Sequence, residues 1–210
     1  MFEEVLSKKA RECLAVLGKV NLVKNAYLAG GTALALQIRH RISVDFDFFT
    51  PKKFNEEIFI RKLLTLPFSF ELERSAEGTI LGHLSKTRFS LFFYDYPLLE
   101  KPRKFLGVNI AGIKDITAMK LAAISHRGAK RDFIDLYFIL AKERFFTLEE
   151  SLTFYERKFK LLSANKLHIL KSLVYFADAE RDVMPKMIQE VDWREIKVFF
   201  EKQVKNTKLT

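Results

Sequence analysis

Residues 43–48, read as SVDFDF, alternate polar and apolar side chains over their whole length. Successive side chains of a strand point to opposite faces, so Val44, Phe46 and Phe48 share one face and Ser43, Asp45 and Asp47 the other. The apolar face packs inward. A carboxylate buried without a partner is costly, so the two acids must face a cleft and be supplied with a cation.

Strand residues i and i+2 have Cα atoms roughly 6 to 7 Å apart on one face. Two carboxylates so placed can converge on Mg²⁺, which takes oxygen ligands and completes its shell with water and substrate phosphates. Upstream of the acids stands the run Gly30-Gly31-Thr32. Without Cβ atoms, this turn lets backbone amides and the positive end of a following helix approach a phosphate.

A third element lies in the basic part of the chain. The formal net charge is +10, and residues 101–131 carry eight Lys or Arg against one acid, Asp115. Such a band attracts phosphate, whether of a nucleotide or of RNA. Within it, DITAMKLAAISHRGAKRDFIDLYF (residues 115–138) puts Lys120 and Arg127 two turns apart on nearly one side of a helix, with Arg131, Asp132 and Asp135 opening the next. Lys and Arg can neutralise a triphosphate. Asp132 can accept a proton or hold a basic residue in place, and Asp135 can pair on the helix surface with Arg131 at i,i+4.

The remaining pattern predicts an α+β chain. Residues 2–17 read as a helix stopped by Gly18, residues 25–29 as a short strand, and residues 32–38 as a helix after the double glycine. A helix follows at residues 55–66. Three strands, near residues 68–73, 79–84 and 88–94, form an antiparallel meander, the first alternating Phe68, Phe70 and Leu72 with Ser69, Glu71 and Glu73. Asp115 is expected to cap a helix running to about Ser125, Gly128 interrupts it, and residues 130–142 form the next. Thr147 and Glu150 make a capping box, residues 166–177 are amphipathic, and residues 193–204 close the chain. The expected division is an α/β lobe at residues 1–112 and a helical lobe at residues 113–210.

The blocks GGTALAL, HRISVDFDFF and DITAMKLAAISHRGAKRDFIDLYFIL resemble the signature blocks of the AbiEii/AbiGii nucleotidyltransferase toxins, a branch of the DNA polymerase β nucleotidyltransferase superfamily. The resemblance implies a polymerase-β-like mixed sheet with a C-terminal helical lobe. It assigns Gly30, Gly31 and Thr32 to the superfamily's phosphate turn, Asp45 and Asp47 to the metal-binding acids, Lys120 to the nucleotide phosphates and Asp132 to the late polar motif. Arg41, Ser43 and Arg127 complete the expected nucleotide contacts. It further implies Mg²⁺, an NTP donor, a tRNA acceptor and a cognate antitoxin. One departure stands out: FSLFF (residues 89–93) lacks the third carboxylate of the superfamily, and Asp95 is the nearest acid.

Other classes fit poorly. One cysteine, Cys13, and four scattered histidines supply no disulfide and no zinc set. The start is charged from Glu3, and the longest apolar run, LYFILA (residues 136–141), is far short of a membrane span, which predicts a cytoplasmic protein. His40 reads either as a phosphate contact or as a solvated loop residue; His83, His126 and His168 read as structural. Two alternatives to NTP-to-tRNA transfer remain: a small-molecule nucleotidyltransferase, and an inactive module of the same fold that binds nucleotide or RNA.

Overall fold

Ser7 starts the first helix, its Oγ accepting the Ala10 N–H at 3.1 Å, and α1 spans Lys8–Lys19. Gly18 is the last residue but one of this helix rather than its stop, and it is a glycine where a Cβ would meet the Leu106 carbonyl oxygen at 2.0 Å. The computed structural model describes residues 1–160 and 165–207. They group into two compact units, Met1–Gln37 with Ser43–Gly112, and Ile38–Ile42 with Ile113–Thr210.

In the first unit, α1 is followed by β1 (Tyr27–Leu28), α2 (Gly30–Ile38), β2 (Phe46–Thr50) and α3 (Glu56–Leu64). Five more strands complete it: β3 (Phe70–Ala76), β4 (Thr79–Leu84), β5 (Thr87–Phe93), β6 (Arg103–Phe105) and β7 (Val108–Ile110). The sheet order is β3-β4-β5-β2-β1-β7-β6. Strands β3, β4 and β5 are an antiparallel meander, β5 runs parallel to β2, and β1 runs antiparallel to β2 and parallel to β7.

The acid-bearing strand is therefore internal. Phe46 and Phe48 are fully buried, and Phe48 and Phe89 pack with ring centroids 5.7 Å apart. Helix α2 is apolar on all sides, with residues 32–36 all buried, as expected of a helix enclosed in a core. The alternation of the first meander strand does not carry burial with it: Leu72 is 48% exposed because β3 is an edge strand whose residues beyond Phe70 face solvent. The hairpin of β6 and β7 was not legible: each strand has three residues, and its turn puts a leucine, Leu106, at φ +48° beside Gly107 at +80°.

The second unit is helical, with α4 (Ile113–Arg127), α5 (Lys130–Tyr137), a π-helical turn at Phe138–Lys142, α6 (Leu148–Phe159), α7 (Asn165–Leu173), α8 (Ala177–Glu180) and α9 (Trp193–Asn206). Gly128 takes the left-handed conformation at φ +57° and closes α4 through its N–H to the Ile124 carbonyl. Thr147 and Glu150 form the capping box that opens α6. Asp115 does not cap α4: it sits in the first turn, fully buried, 2.7 Å from Lys158 Nζ on α6, itself fully buried. Phe133, Phe176, Trp193 and Phe200 form the aromatic part of this core.

Candidate active site

Asp45 and Asp47 are both half-buried, at the entry to β2 and within it. The turn before α2 is built around Asp47. Gly30 has φ +67°, and a Cβ placed on it would lie 2.9 Å from Asp47 Oδ2. The backbone is locked at the same point, with the Ala29 N–H donating to the Asp47 carbonyl at 2.9 Å. Thr32 holds the other acid. It is buried, and its Oγ1 lies 2.6 Å from the Asp45 carbonyl oxygen and 2.9 Å from Ser43 Oγ. Thr32, expected with Ser43 at a nucleotide, thus ties the start of α2 to the Asp45 backbone and to the Ser43 hydroxyl.

The register shows what stands where a third acid could join them. Strand β5 pairs Ser90 with Asp47, and paired residues of neighbouring strands project to one face. Ser90 is buried. Asp95 is exposed and lies beyond the far end of β5, past Tyr94, whose N–H bonds to the Thr50 carbonyl, so it is no third ligand. Among the described residues no set of three His, Cys, Asp or Glu side chains is placed to hold a metal. The two aspartates, oxygen donors on one strand face, suit a hard divalent cation with open positions for water and phosphate.

In the second unit the expected polar residues converge, but differently from the sequence reading. Asp135 is fully buried and receives three partners. His40 Nε2 and Arg41 Nε each lie 2.7 Å from Oδ1, Arg41 Nη2 lies 2.9 Å from Oδ2, and Lys120 Nζ lies 2.7 Å from Oδ2. Lys120 Nζ also donates to Asp132 Oδ1 at 2.7 Å, and Asp132 accepts from Arg127 Nε at 2.8 Å and Nη2 at 3.1 Å. Asp135 is no surface partner of Arg131, and His40 is no solvated loop residue. Arg41, expected at a phosphate, gives Asp135 both arms of a fork because this carboxylate is buried and needs the charge.

Burial alone would raise the Asp135 carboxyl, yet Arg41 and Lys120, with hydrogen bonds from His40 and Arg41, hold it well below the usual carboxylate range. Asp132, also pushed up by burial, is brought below its ordinary value by Lys120 and Arg127. Burial would lower Lys120, but Asp132 and Asp135 raise it, so it stays an ammonium. Burial lowers His40 against the pull of Asp135, which leaves a neutral ring donating from Nε2. The network then holds three cations and two anions, a net +1, and Arg127, with 53% of its side chain exposed, is its member in contact with solvent.

Residues 38–42 carry His40 and Arg41 into this unit as a strap. The Ile188 N–H donates to the His40 carbonyl and the Ile42 N–H to the Lys186 carbonyl, both at 2.9 Å. The signal for this was present in the sequence as His40 and Arg41 just before the acids, but nothing in it paired them with Asp135.

Among solved structures, JHP933 from Helicobacter pylori matches with a TM-score of 0.55 at 22% identity, covering 95% of this chain and 92% of that one. A further H. pylori structure, described as a candidate nucleotidyltransferase, gives the same TM-score and identity over 95% of this chain and 94% of that one. These likenesses identify the fold as that of polymerase-β-like nucleotidyltransferases. By sequence, protein aq_aa25 of Aquifex aeolicus (strain VF5) is 39% identical over 203 residues, 95% of this chain and 96% of the relative. The family model described as nucleotidyl transferase AbiEii toxin, type IV toxin-antitoxin system, matches residues 12–93 and 92–206. An acid held over a glycine turn and a buried Lys-Asp-Arg network accord with what the family model and the Aquifex relative show: the chain belongs to the AbiEii nucleotidyltransferase toxin family.

Proposed function

We propose that this chain transfers a nucleotide from an NTP to an RNA acceptor, tRNA, in a Mg²⁺-dependent reaction, as the toxin of a toxin-antitoxin pair. The observation that carries the reading is the placement of the Asp47 carboxylate against Gly30, with Asp45 two residues before it on the same strand face: carboxylates for a cation beside a backbone suited to phosphate. A Mg²⁺ held by Asp45 and Asp47 would supply charge neutralisation for the phosphates while an acceptor hydroxyl attacks the α-phosphorus in line, the α–β phosphoanhydride bond breaks and pyrophosphate leaves.

The protein's own contribution is positioning and electrostatics. Thr32 fixes the backbone of Asp45, and the Gly30 conformation leaves room for the Asp47 carboxylate. The amides at the start of α2 favour an anion there. Arg127 is the network member suited to meet phosphate charge. Lys120 and Asp132 act through it as positioning residues, because the Lys120 ammonium is already engaged by two carboxylates.

One observation favours a second reading. Ser90 stands beside Asp47 where a third carboxylate would complete a two-metal site, which suits a module that binds nucleotide without turning it over. Incubation with each labelled NTP and total tRNA, with and without Mg²⁺, separates the two. Mg²⁺-dependent label on tRNA is the expected result. NTP binding without transfer to any acceptor would support the binding module, and transfer to a small molecule alone would remove RNA from the proposal.

A further inference from the structure

We propose that the β6 edge of the sheet, with the end of α1 and the segment after it, is a docking surface for the phosphodiester backbone of the acceptor RNA. The proposal rests on the RNA-acceptor reading above. The sequence presents its basic band as one run, residues 101–131, and the structure breaks that run apart. Lys130 Nζ is tied to the Asp182 carbonyl at 2.5 Å and lies 5.3 Å from the Trp193 ring centroid, and Lys114 Nζ lies 5.7 Å from that of Phe154. Neither is a solvated cation awaiting a phosphate.

At the β6 edge the opposite happens, and cations distant in sequence are brought together. The Leu106-Gly107 turn packs on Gly18 with no room for a side chain, which sets Lys19 beside the hairpin. Asn109 Nδ2 donates to the Lys24 and Ala26 carbonyls at 3.1 and 2.9 Å, which fixes the backbone of Lys24 against β7. Lys104 is the cross-strand partner of Asn109, Arg103 precedes it, and Lys101 leads into the strand. Lys19, Lys24, Lys101, Arg103 and Lys104 are all exposed, and none has a side-chain hydrogen bond or ion pair among the described residues. No acid occurs in residues 18–29 or 101–114.

Basic residues on an edge strand also deter pairing with other sheets, which accounts for Arg103 and Lys104. It does not account for Lys19 and Lys24, which come from outside the sheet. The register adds a direction. Lys104 pairs with Asn109, Asn109 with Tyr27, and Tyr27 with Phe49, so these side chains share a face, and Asp47 is on that face two residues before Phe49. Lys104 is thus three strand spacings, roughly 14 Å, to the side of the acidic strand. A backbone held along the edge runs beside the face from which the acids project.

The test is binding of labelled tRNA to the full chain across a KCl series, for the wild type and for Lys24→Gln with Lys104→Gln. Each neutralised phosphate contributes about 0.7 to 0.9 to the slope of log K against log salt, so five contacts give a slope of about −3.5 to −4.5. The double variant should lose about 1.5 units of that slope while keeping the thermal shift produced by NTP with Mg²⁺. An unchanged slope in the double variant would overturn this surface and leave RNA transfer standing. A wild type that binds no tRNA would remove the acceptor reading itself, and the surface with it. Poly-glutamate bound as tightly, with the same dependence on Lys24 and Lys104, would make the edge a site for acidic protein and overturn the RNA assignment.

Discussion

The Asp47 carboxylate fills the space that a side chain on Gly30 would need, its Oδ2 lying 2.9 Å from the position of a Cβ there. Gly30→Ala would therefore both push on this acid and force an L-residue to φ +67°, a strain of about 1 to 2 kcal/mol. The variant should remain folded with a lower Tm and should lose the stabilisation by NTP with Mg²⁺. Calorimetry with and without the nucleotide reads both effects. A full nucleotide response in Gly30→Ala would show that the Asp47 position does not matter to binding.

Asp45→Asn keeps the shape of the side chain and removes its charge. A ligand that binds only the folded state stabilises it by mass action, about 2.7 kcal/mol at a hundredfold excess over Kd. The wild type should show a Tm increase of this origin with NTP and Mg²⁺, and Asp45→Asn should show none. If the mutant kept the increase, the metal site would lie elsewhere.

Asp135 neutralises Arg41 and Lys120 inside the second unit. Asp135→Ala leaves two buried cations short of an anion, and removal of one partner from a buried pair costs about 3 to 5 kcal/mol. Urea unfolding should show a loss of that order. Arg131→Ala, on an exposed residue nearby, should change stability by no more than about 0.5 kcal/mol.

Stability should fall in two stages as the solution is acidified. Burial holds His40 below its ordinary 6.5, so the unfolded chain binds the proton first, and the stability of the neutral ring, present above pH 6.5, is lost below it. Asp135 is held well below 3.8, so its contribution is present above that value and lost as pH falls further, through its depressed folded pKa. In His40→Gln the first stage should disappear and the second remain. Unfolding free energies from pH 8 to about pH 1.5 test this, reaching below the range in which a paired carboxylate is protonated, and an identical profile in the mutant would assign the first stage to another group.

The alternation at residues 43–48 was legible because only a strand separates Phe46 and Phe48 from Asp45 and Asp47, and the structure buries those phenylalanines completely. The glycine turn was legible for the same local reason. Partners distant in sequence were not. Nothing near Asp135 names Arg41, 94 positions away, and nothing near Asp115 names Lys158, 43 positions away. Local charge suggested solvent for these acids, whereas burial with a cation satisfies them as well. Gly18 misled for a related reason, since its cause is the Leu106 carbonyl across the fold and not the end of its own helix.

Because Ile38–Ile42 belongs to the second unit while the residues on both sides of it belong to the first, no single cut of the chain separates the two units. Division after residue 112 would strip Asp135 of Arg41 and His40 and leave Lys120 as its one remaining partner of the three. The other fragment would carry an orphaned guanidinium a few residues before Asp45.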